Sequence, residues 1–529
     1  MAACPFPLPV PQPREFEPLD AAGNGGQQVM APDPSCPAGE PKPLGGSGGG
    51  DSGDRLKVIV FDDDPTGSQT LHGCPLLLRW DPASLAAGLR HPSPFLFLLA
   101  NTRALAPAAA RSRVEEICRL LVPAIEAAHA AGLIDRWLVV SRGDSTLRGH
   151  FPLEVEAIAA ALGPFAATFL VPAFLEGGRT TVDGVHLLEG RPVHESPFAR
   201  DRIFGYTSSF LPDWVAEKTA GRLAAERVGR LGLAELEGGG EPLRARLAML
   251  AAGQPGGASA AGALVAVDAT RPEHLQALGT ALRESLVAAE GEAAPPARFL
   301  VQSAASLLNG LVPLPPQPLP GAALAALRRR GGQGLPLPGL VLVGSHVPLA
   351  DAQLQALLAE AGCGGVEVPV ARVHRVLEGP LPDRLLASLE QEWQERLEAL
   401  LAAGLTPVFH TSRGELVCRH AEERRLLGLA LASSMARVVA RLAPGLGYVI
   451  SKGGITSHTL LAEGLALAAV ELQGQMMPGL SLVLAPEPPG GDSGGVPGAV
   501  GLPVLTVPGN LGQGDTLVQL WRQLEAGGV

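Results

Sequence analysis

Residues 57–67 read KVIVFDDDPTG, and the fold turns on how that stretch is parsed. Val58 to Phe61 is an unbroken apolar run, too short for a helix and rich in β-branched side chains, as in a strand buried on both faces. Three carboxylates, a proline and a glycine then end it. The same grammar recurs in apolar runs at Phe95–Leu99, Trp137–Val140, Thr168–Val171, Leu264–Val267 and Phe299–Val301. A second set follows at Leu340–Val343, Val366–Val370, Pro407–His410, Tyr448–Ile450 and Val504–Val507. Between them lie Ala/Leu-rich segments of helical period, at Ala108–Ala131, Leu153–Leu162, Ala350–Ala361, Leu381–Ala403 and Glu422–Leu442. Strands that alternate with helices build parallel sheets. The expected fold class is therefore α/β, in two Rossmann-like domains with mostly parallel sheets.

Length and composition agree, since 529 residues are too many for one ordinary domain and 46% hydrophobic residues supply a large core. Glycine and proline, 66 and 49 in number, are in excess. They concentrate first in residues 1–54, where Pro/Gly/Ser-rich text without apolar periodicity predicts a disordered tail. A second concentration, Gly232–Gly262, reads as a loose insertion. A third, Pro313–Gly339, reads as a linker, so the domains are expected at 55–312 and 340–529.

The net charge of −11 and the near absence of lysine (Lys42, Lys57, Lys218 and Lys452) give no field for a polyanion, so nucleic acid is not an expected partner. Six cysteines form no CxxC or zinc spacing, which fits a reducing compartment. No secretory signal is read at the N-terminus, and no run approaches about 18 uninterrupted apolar residues. Neither a membrane span nor membrane partnership is expected, and the cytoplasm is the default compartment.

In open parallel sheets ligands gather at the carboxyl ends of strands. Four successive strand ends in the first half carry polar text: DDDPTGSQT, ANTR, SRGDSTLRGH and PAFLEGGRT. Three adjacent carboxylates repel unless a cation, an arginine or a polyhydroxylated ligand satisfies them; the bland alternative is a helix cap on a solvated turn. Strand-end position favours one of the three, Asp62, Asp63 or Asp64, as a base that takes a proton from a substrate hydroxyl, with a neighbour binding hydroxyls or assisting a metal. Arg148 and Arg179 follow glycine-containing turns, where a guanidinium can grip a carboxylate or phosphate, and Asp144 and Ser145 offer hydroxyl partners. Together they point to an anionic small substrate such as a sugar acid. His72, His150, His186 and His194 show no ligand spacing, so a structural role is expected of them over a metal site, and the metal ligands are left unknown.

The second half carries glycine and hydroxyl residues at its strand ends: GSH, TSRG, SKGGITSHT and PGNLGQGD. Glycine turns let backbone N–H groups approach phosphates closely, with Thr456 and Ser457 as further donors and Lys452 as a possible neighbouring charge. A P-loop, the protein-kinase motif set and a GxGxxG at the first turn are all missing. The GxSxG matches, GGSGG in the tail and GDSGG at Gly491–Gly495, sit in linker-like composition and not at a strand-to-helix elbow.

FDDDPTG, SRGDSTLRGH, PAFLEGGRTTVDGVHLLEGRPVHESPFARD, VLVGSHVPLADAQ, ISKGGITSHTLL and VPGNLGQGD occur in that order. Together they resemble the four-carbon acid sugar kinase family, over about Lys57 to Trp521. The resemblance implies a sugar-acid-binding domain at 55–312 and a nucleotide-binding domain at 340–529, with ATP and Mg2+ as cofactors and phosphoryl transfer in the cleft. It assigns Asp63 and Asp64 to catalysis, and Asp144, Ser145, Arg148 and Arg179 to substrate. Ser345, Gly453, Gly454, Thr456, Ser457, Gly509, Asn510 and Gly512 go to the nucleotide, with Lys452 added as a replacement charge. His150, Val347, Ala350, Ile455 and Val507-Pro508 depart from the family pattern, mostly on the nucleotide side. The rival reading they motivate is a sugar-acid-binding regulator without catalysis; a nicotinamide dehydrogenase rests on the α/β rhythm alone. Oligomeric state is left open, a homodimer included.

Overall fold

The computed structural model describes residues 55–65, 70–252, 260–286, 298–414, 418–486 and 495–526. The tail at 1–54, Thr66, Gly67 and most of the GDSGG segment lie outside the described residues.

In the first half the strands are β1 (Leu56–Asp62), β2 (Pro75–Leu77), β3 (Phe95–Leu99), β4 (Arg136–Arg142), β5 (Ala167–Val171), β6 (Arg179–Val182), β7 (Val185–Leu188), β8 (Arg191–Pro192), β9 (Gly229–Leu231), β10 (Ala263–Val267) and β11 (Phe299–Ser303). In the second half they are β12 (Gly339–Val343), β13 (Cys363–Val368), β14 (Thr406–Thr411), β15 (Tyr448–Lys452), β16 (Ala469–Met477), β17 (Leu480–Leu484) and β18 (Val504–Val507). The expected apolar runs are all strands, and most of their side chains are withdrawn from water on both faces. Burying a Leu, Val or Phe contributes about 1.5–3 kcal/mol each, which is why these runs set the chain's architecture.

The α/β class is as expected, but the strands do not form two separate sheets. Fifteen of them make one sheet in the order β13-β14-β12-β15-β18-β17-β16-β2-β3-β1-β4-β11-β5-β10-β9, and β6-β7-β8 form a small antiparallel sheet. The pairs are parallel except around β17 and β16, where β16 also joins β2 antiparallel through Ala469–Leu77, Val470–Leu76 and Glu471–Pro75. The β16–β17 hairpin escaped the sequence reading because β16 alternates buried and half-exposed residues, unlike the continuous buried runs of β3, β5, β10 and β12.

Three expectations are corrected. The run expected as a strand to Val370 ends at Val368, because Pro369 has no N–H to continue the ladder and Val370 opens a helix, Val370–Glu378. Gly232–Gly262 is no loose insertion over its described part: helices Leu233–Gly238 and Gly240–Ala252 bury Leu236, Leu243 and Leu247, at a helical spacing that surrounding Ala and Gly obscure. Nor is 313–339 a free linker. It contains the 3-10 turn Gly321–Leu327, buries Leu324 and Ala325, and bonds through Gln317 to the backbone of Gln475.

The arginine triplet 328–330 completes that docking. Arg328 donates to the Leu337 carbonyl at 2.8 Å, to the Leu524 carbonyl at 3.1 Å and to the Glu525 carboxylate at 2.8 Å, and its guanidinium lies 5.3 Å from the centre of the Tyr448 ring. Arg329 donates to the carbonyls of Ala443 and Gly498. One helix among the described residues, Glu422–Gly445, is long and apolar enough to cross a membrane, with a mean hydropathy of 1.5. Its apolar window is 56% buried inside the protein, and Arg437 on its outer face pairs with Glu390 of the neighbouring Pro382–Ala402 helix. Replacing Arg328 by Ala removes the cation from Glu525, which keeps the Tyr448 hydroxyl at 2.6 Å, and uncovers the Tyr448 ring. We expect a loss of roughly 2–4 kcal/mol, read as a lower denaturant midpoint at unchanged m-value.

Candidate active site

The parallel register sets Arg142, the last residue of β4, directly beside Asp62, the last residue of β1. Asp62 is fully buried, with its Oδ1 3.1 Å from Arg142 Nη1, and burial pushes its carboxyl up to about 7. Asp63 accepts hydrogen bonds from Arg142 Nη1 at 2.8 Å and from Arg103 Nε and Nη2 at 2.9 and 2.5 Å. Arg103 belongs to the turn after β3, whose amide donates to the Asp63 carbonyl. Two arginines from neighbouring strand ends therefore neutralise the aspartate run, and Asp63 is held in ion pairs with both. Asp64 is turned outward, 3.6 Å from Arg103 Nη1, and lines the cavity between the two halves.

Behind this cluster Glu154 is buried and accepts from the Thr102 hydroxyl. Burial, then the neighbouring Asp63 charge, pushes its carboxyl up to about 7. His150 rests on the carbonyls of Thr102 and Leu105 at 3.1 and 3.0 Å, so it supports the Arg103 turn.

The loop after β4 presents Asp144, Ser145 and Arg148. Burial opposes ionisation of Asp144, but Arg103 and Arg148, with hydrogen bonds from Arg148 Nε (2.7 Å) and Thr146, outweigh it and hold the carboxyl below its ordinary range. Arg148 also lies over the Phe198 ring, 4.9 Å from its centre. Arg179 opens β6 and differs in kind. Its Nη1 donates to the Gly177 carbonyl at 2.6 Å, while its buried Nε has no partner among the described residues. Burial lowers its pKa, so this guanidinium would gain from an anion.

Asp64, Arg103, Arg142, Asp144, Ser145, Arg148, Phe174, Arg179 and Phe198 wall one side of a cavity of about 400 Å3; Val347, Gly454, Ile455, Pro508, Gly509, Asn510 and Leu511 wall the other. Across this cavity Asp64 faces Gly454. A Cβ on Gly454 would stand 2.7 Å from Asp64 Oδ2, so only glycine fits without displacing the carboxylate.

Not all expected nucleotide-side residues reach this cavity. Gly454, Gly509 and Asn510 do. Ser345, Gly453 and Thr456 pack just behind, where a Cβ on Gly453 would meet Thr456 Oγ1 at 3.2 Å and Ser345 Cβ at 3.4 Å. Gly512, at φ +94°, shapes a turn against Thr516. Two residues are corrected. Ser457 is buried and donates to Ser451 Oγ at 2.9 Å, and Lys452 is wholly buried, donating to the Pro508 carbonyl at 2.6 Å. Burial pushes the Lys452 ammonium down to about 7, and its task is to hold the 508–511 turn, not to meet a phosphate.

The sequence reading missed Arg103 and Arg142 as named residues, although both stood in its strand-end motifs. It also missed Phe174, Phe198 and Arg413, the last of which ties the Ser345 carbonyl to Asp351, each at 2.7 Å.

Comparison with known proteins matches residues 58–311 to the sugar-binding N-terminal domain model and residues 340–517 to the nucleotide-binding C-terminal domain model. A D-erythronate kinase from Heliobacterium modesticaldum is 26% identical over 425 residues, 78% of this chain and 79% of that protein. A D-threonate kinase from Bordetella bronchiseptica is 29% identical over 405 residues, 75% and 79% of the two chains. A Salmonella typhimurium LT2 protein of known crystal structure shares the fold, with a TM-score of 0.59 at 19% identity over 88% of this chain and 99% of the other. With both of its domain models matched in order and its strand-end residues gathered around one cavity, the chain belongs to the four-carbon acid sugar kinase family.

Proposed function

We propose that the protein transfers the γ-phosphoryl group of ATP to a hydroxyl of a four-carbon sugar acid of the threonate or erythronate class, oxo derivatives included. The observation that carries this reading is the buried, half-satisfied guanidinium of Arg179 in the same cavity as Asp64, opposite the glycine turns. The relatives named D-erythronate kinase and D-threonate kinase support it.

Each half has a separate task. Arg179 grips the carboxylate of the acid. Arg148, already committed to Asp144, orients that aspartate toward substrate hydroxyls. Asp64 receives the proton of the attacking hydroxyl, a modest demand because phosphoryl transfer goes through a loose transition state in which positioning and charge matter most. Gly454, Gly509 and Asn510 leave room for phosphates against the backbone. Asp64 offers the hard oxygen that suits magnesium, and such an ion would neutralise charge on the transferred group. Arg103, 3.6 Å away, sets a cation beside this proposed base.

An ADP-release assay over erythronate, threonate and their 2- and 3-oxo forms tests the reading. Turnover of at least one acid is expected; acid binding by calorimetry with no ADP release from any would replace the kinase by a regulator. Asp64→Asn should lower kcat by about 10²–10⁴-fold with the fold intact, and an unchanged kcat removes Asp64 from the mechanism. Arg179→Ala should raise KM for the acid by about 100-fold while KM for ATP stays put, the loss of a charge-assisted pair. Gly454→Ala should lower kcat by about tenfold or more, because its methyl displaces the base; rotation of Asp64 without rate loss would refute that contact.

A further inference from the structure

The loop that carries Asp144 and Arg148 is conformationally costly. Leu147 has φ +63° and Gly149 φ +135°, and a left-handed leucine costs roughly 1–2 kcal/mol, so contacts outside the loop must hold it. Two buried side chains do so from below. The Tyr206 hydroxyl donates to the Thr146 carbonyl at 2.7 Å, and His186 Nε2 lies 2.8 Å from the Ser145 carbonyl.

The His186 contact fixes its tautomer. A carbonyl only accepts, so Nε2 carries the proton, and Nδ1 is left to accept from the Thr181 hydroxyl at 3.0 Å. The ring is wholly buried, and burial pushes its pKa down to about 4, which keeps it neutral. Thr181 and His186 face each other across β6 and β7, the hairpin whose first residue is Arg179. That hairpin is pinned at its tip, where Asp268 accepts from the amides of Asp183 and Gly184 at 2.8 and 2.9 Å. Thr181 also exchanges backbone hydrogen bonds with Ala269.

We propose that His186 is a positioning residue that pegs the Asp144–Arg148 loop to the Arg179 hairpin, fixing the spacing between the group that grips the substrate carboxylate and the groups that meet its hydroxyls. The inference deepens the kinase reading and rests on it for the substrate. It joins two sequence motifs that are more than thirty residues apart and act as one acid-binding unit. A side chain that donates at the Nε2 position serves; one without a donor does not.

The test compares His186→Phe with His186→Gln, whose Nε2 can reach the same carbonyl. In His186→Phe, KM for the sugar acid should rise about tenfold or more, KM for ATP should stay within twofold, and amides 144–149 should exchange hydrogen at least tenfold faster. His186→Gln should recover most of each effect. A folded His186→Phe with wild-type exchange in 144–149 and wild-type KM overturns the proposal, as does equal damage in His186→Gln. Hydrogen exchange decides the pegging even if no sugar acid turns out to be phosphorylated, an outcome that would sink the kinase reading alone. Should His186→Phe fail to fold, Thr181→Val, which leaves the ring in place but removes its hydroxyl partner, should speed exchange in the same residues; unchanged exchange there also overturns the proposal.

Discussion

Three carboxylates on consecutive residues at a buried strand end cannot coexist unpaired, and the rest of the site is arranged around that constraint. The partners come from the two strands that flank β1: Arg142 closes β4 and Arg103 follows β3. Because the sheet is parallel, these neighbours end at the same level, so the register that packs Val58, Ile59 and Val60 also delivers guanidinium groups to Asp62 and Asp63. The triplet divides its labour by depth. Asp62 is buried and tends toward neutrality, Asp63 is locked in ion pairs, and Asp64 faces the cavity.

Much of this was legible in the sequence because it depends on local pattern. Continuous apolar runs marked the parallel strands, and polar text at their ends marked the cavity wall; Asp64, Asp144, Ser145, Arg148, Arg179, Gly454, Gly509 and Asn510 all line it. What escaped depends on depth and direction, which a linear pattern does not encode. Lys452 sits in a glycine-rich segment that reads as a phosphate site, yet as the last residue of β15 it points into the core and finds a carbonyl. Asp63 and Asp64 are adjacent and chemically identical, yet the bend after β1 turns one toward Arg103 and Arg142 and the other toward the cavity. The arginine triplet 328–330 looked like solvated linker, although Arg328 is among the most deeply buried cations in the chain.

The cavity's two walls differ in chemistry. The first-half wall is a lattice of paired charges, with arginines stacked over Phe174 and Phe198. The second-half wall is backbone and small apolar surface: Gly454, Gly509 and Pro508, with Val347 and Ile455 partly exposed to the cavity. On the proposed reading, charge would recognise the ligand from one side, and close approach of the main chain from the other. The single carboxylate that meets the glycine turn, Asp64, is where the two kinds of recognition touch.

The seam between β2 and β16 has a consequence for how the halves exist at all. It is a three-residue ladder in the middle of a fifteen-stranded sheet, so cutting the chain between the halves would leave two raw edges with unpaired main-chain groups. Those edges are complementary to each other and to further copies of themselves. Expressed apart, the halves would be prone to recombine or to polymerise, which makes covalent continuity through residues 313–339 a safeguard of solubility as much as of geometry.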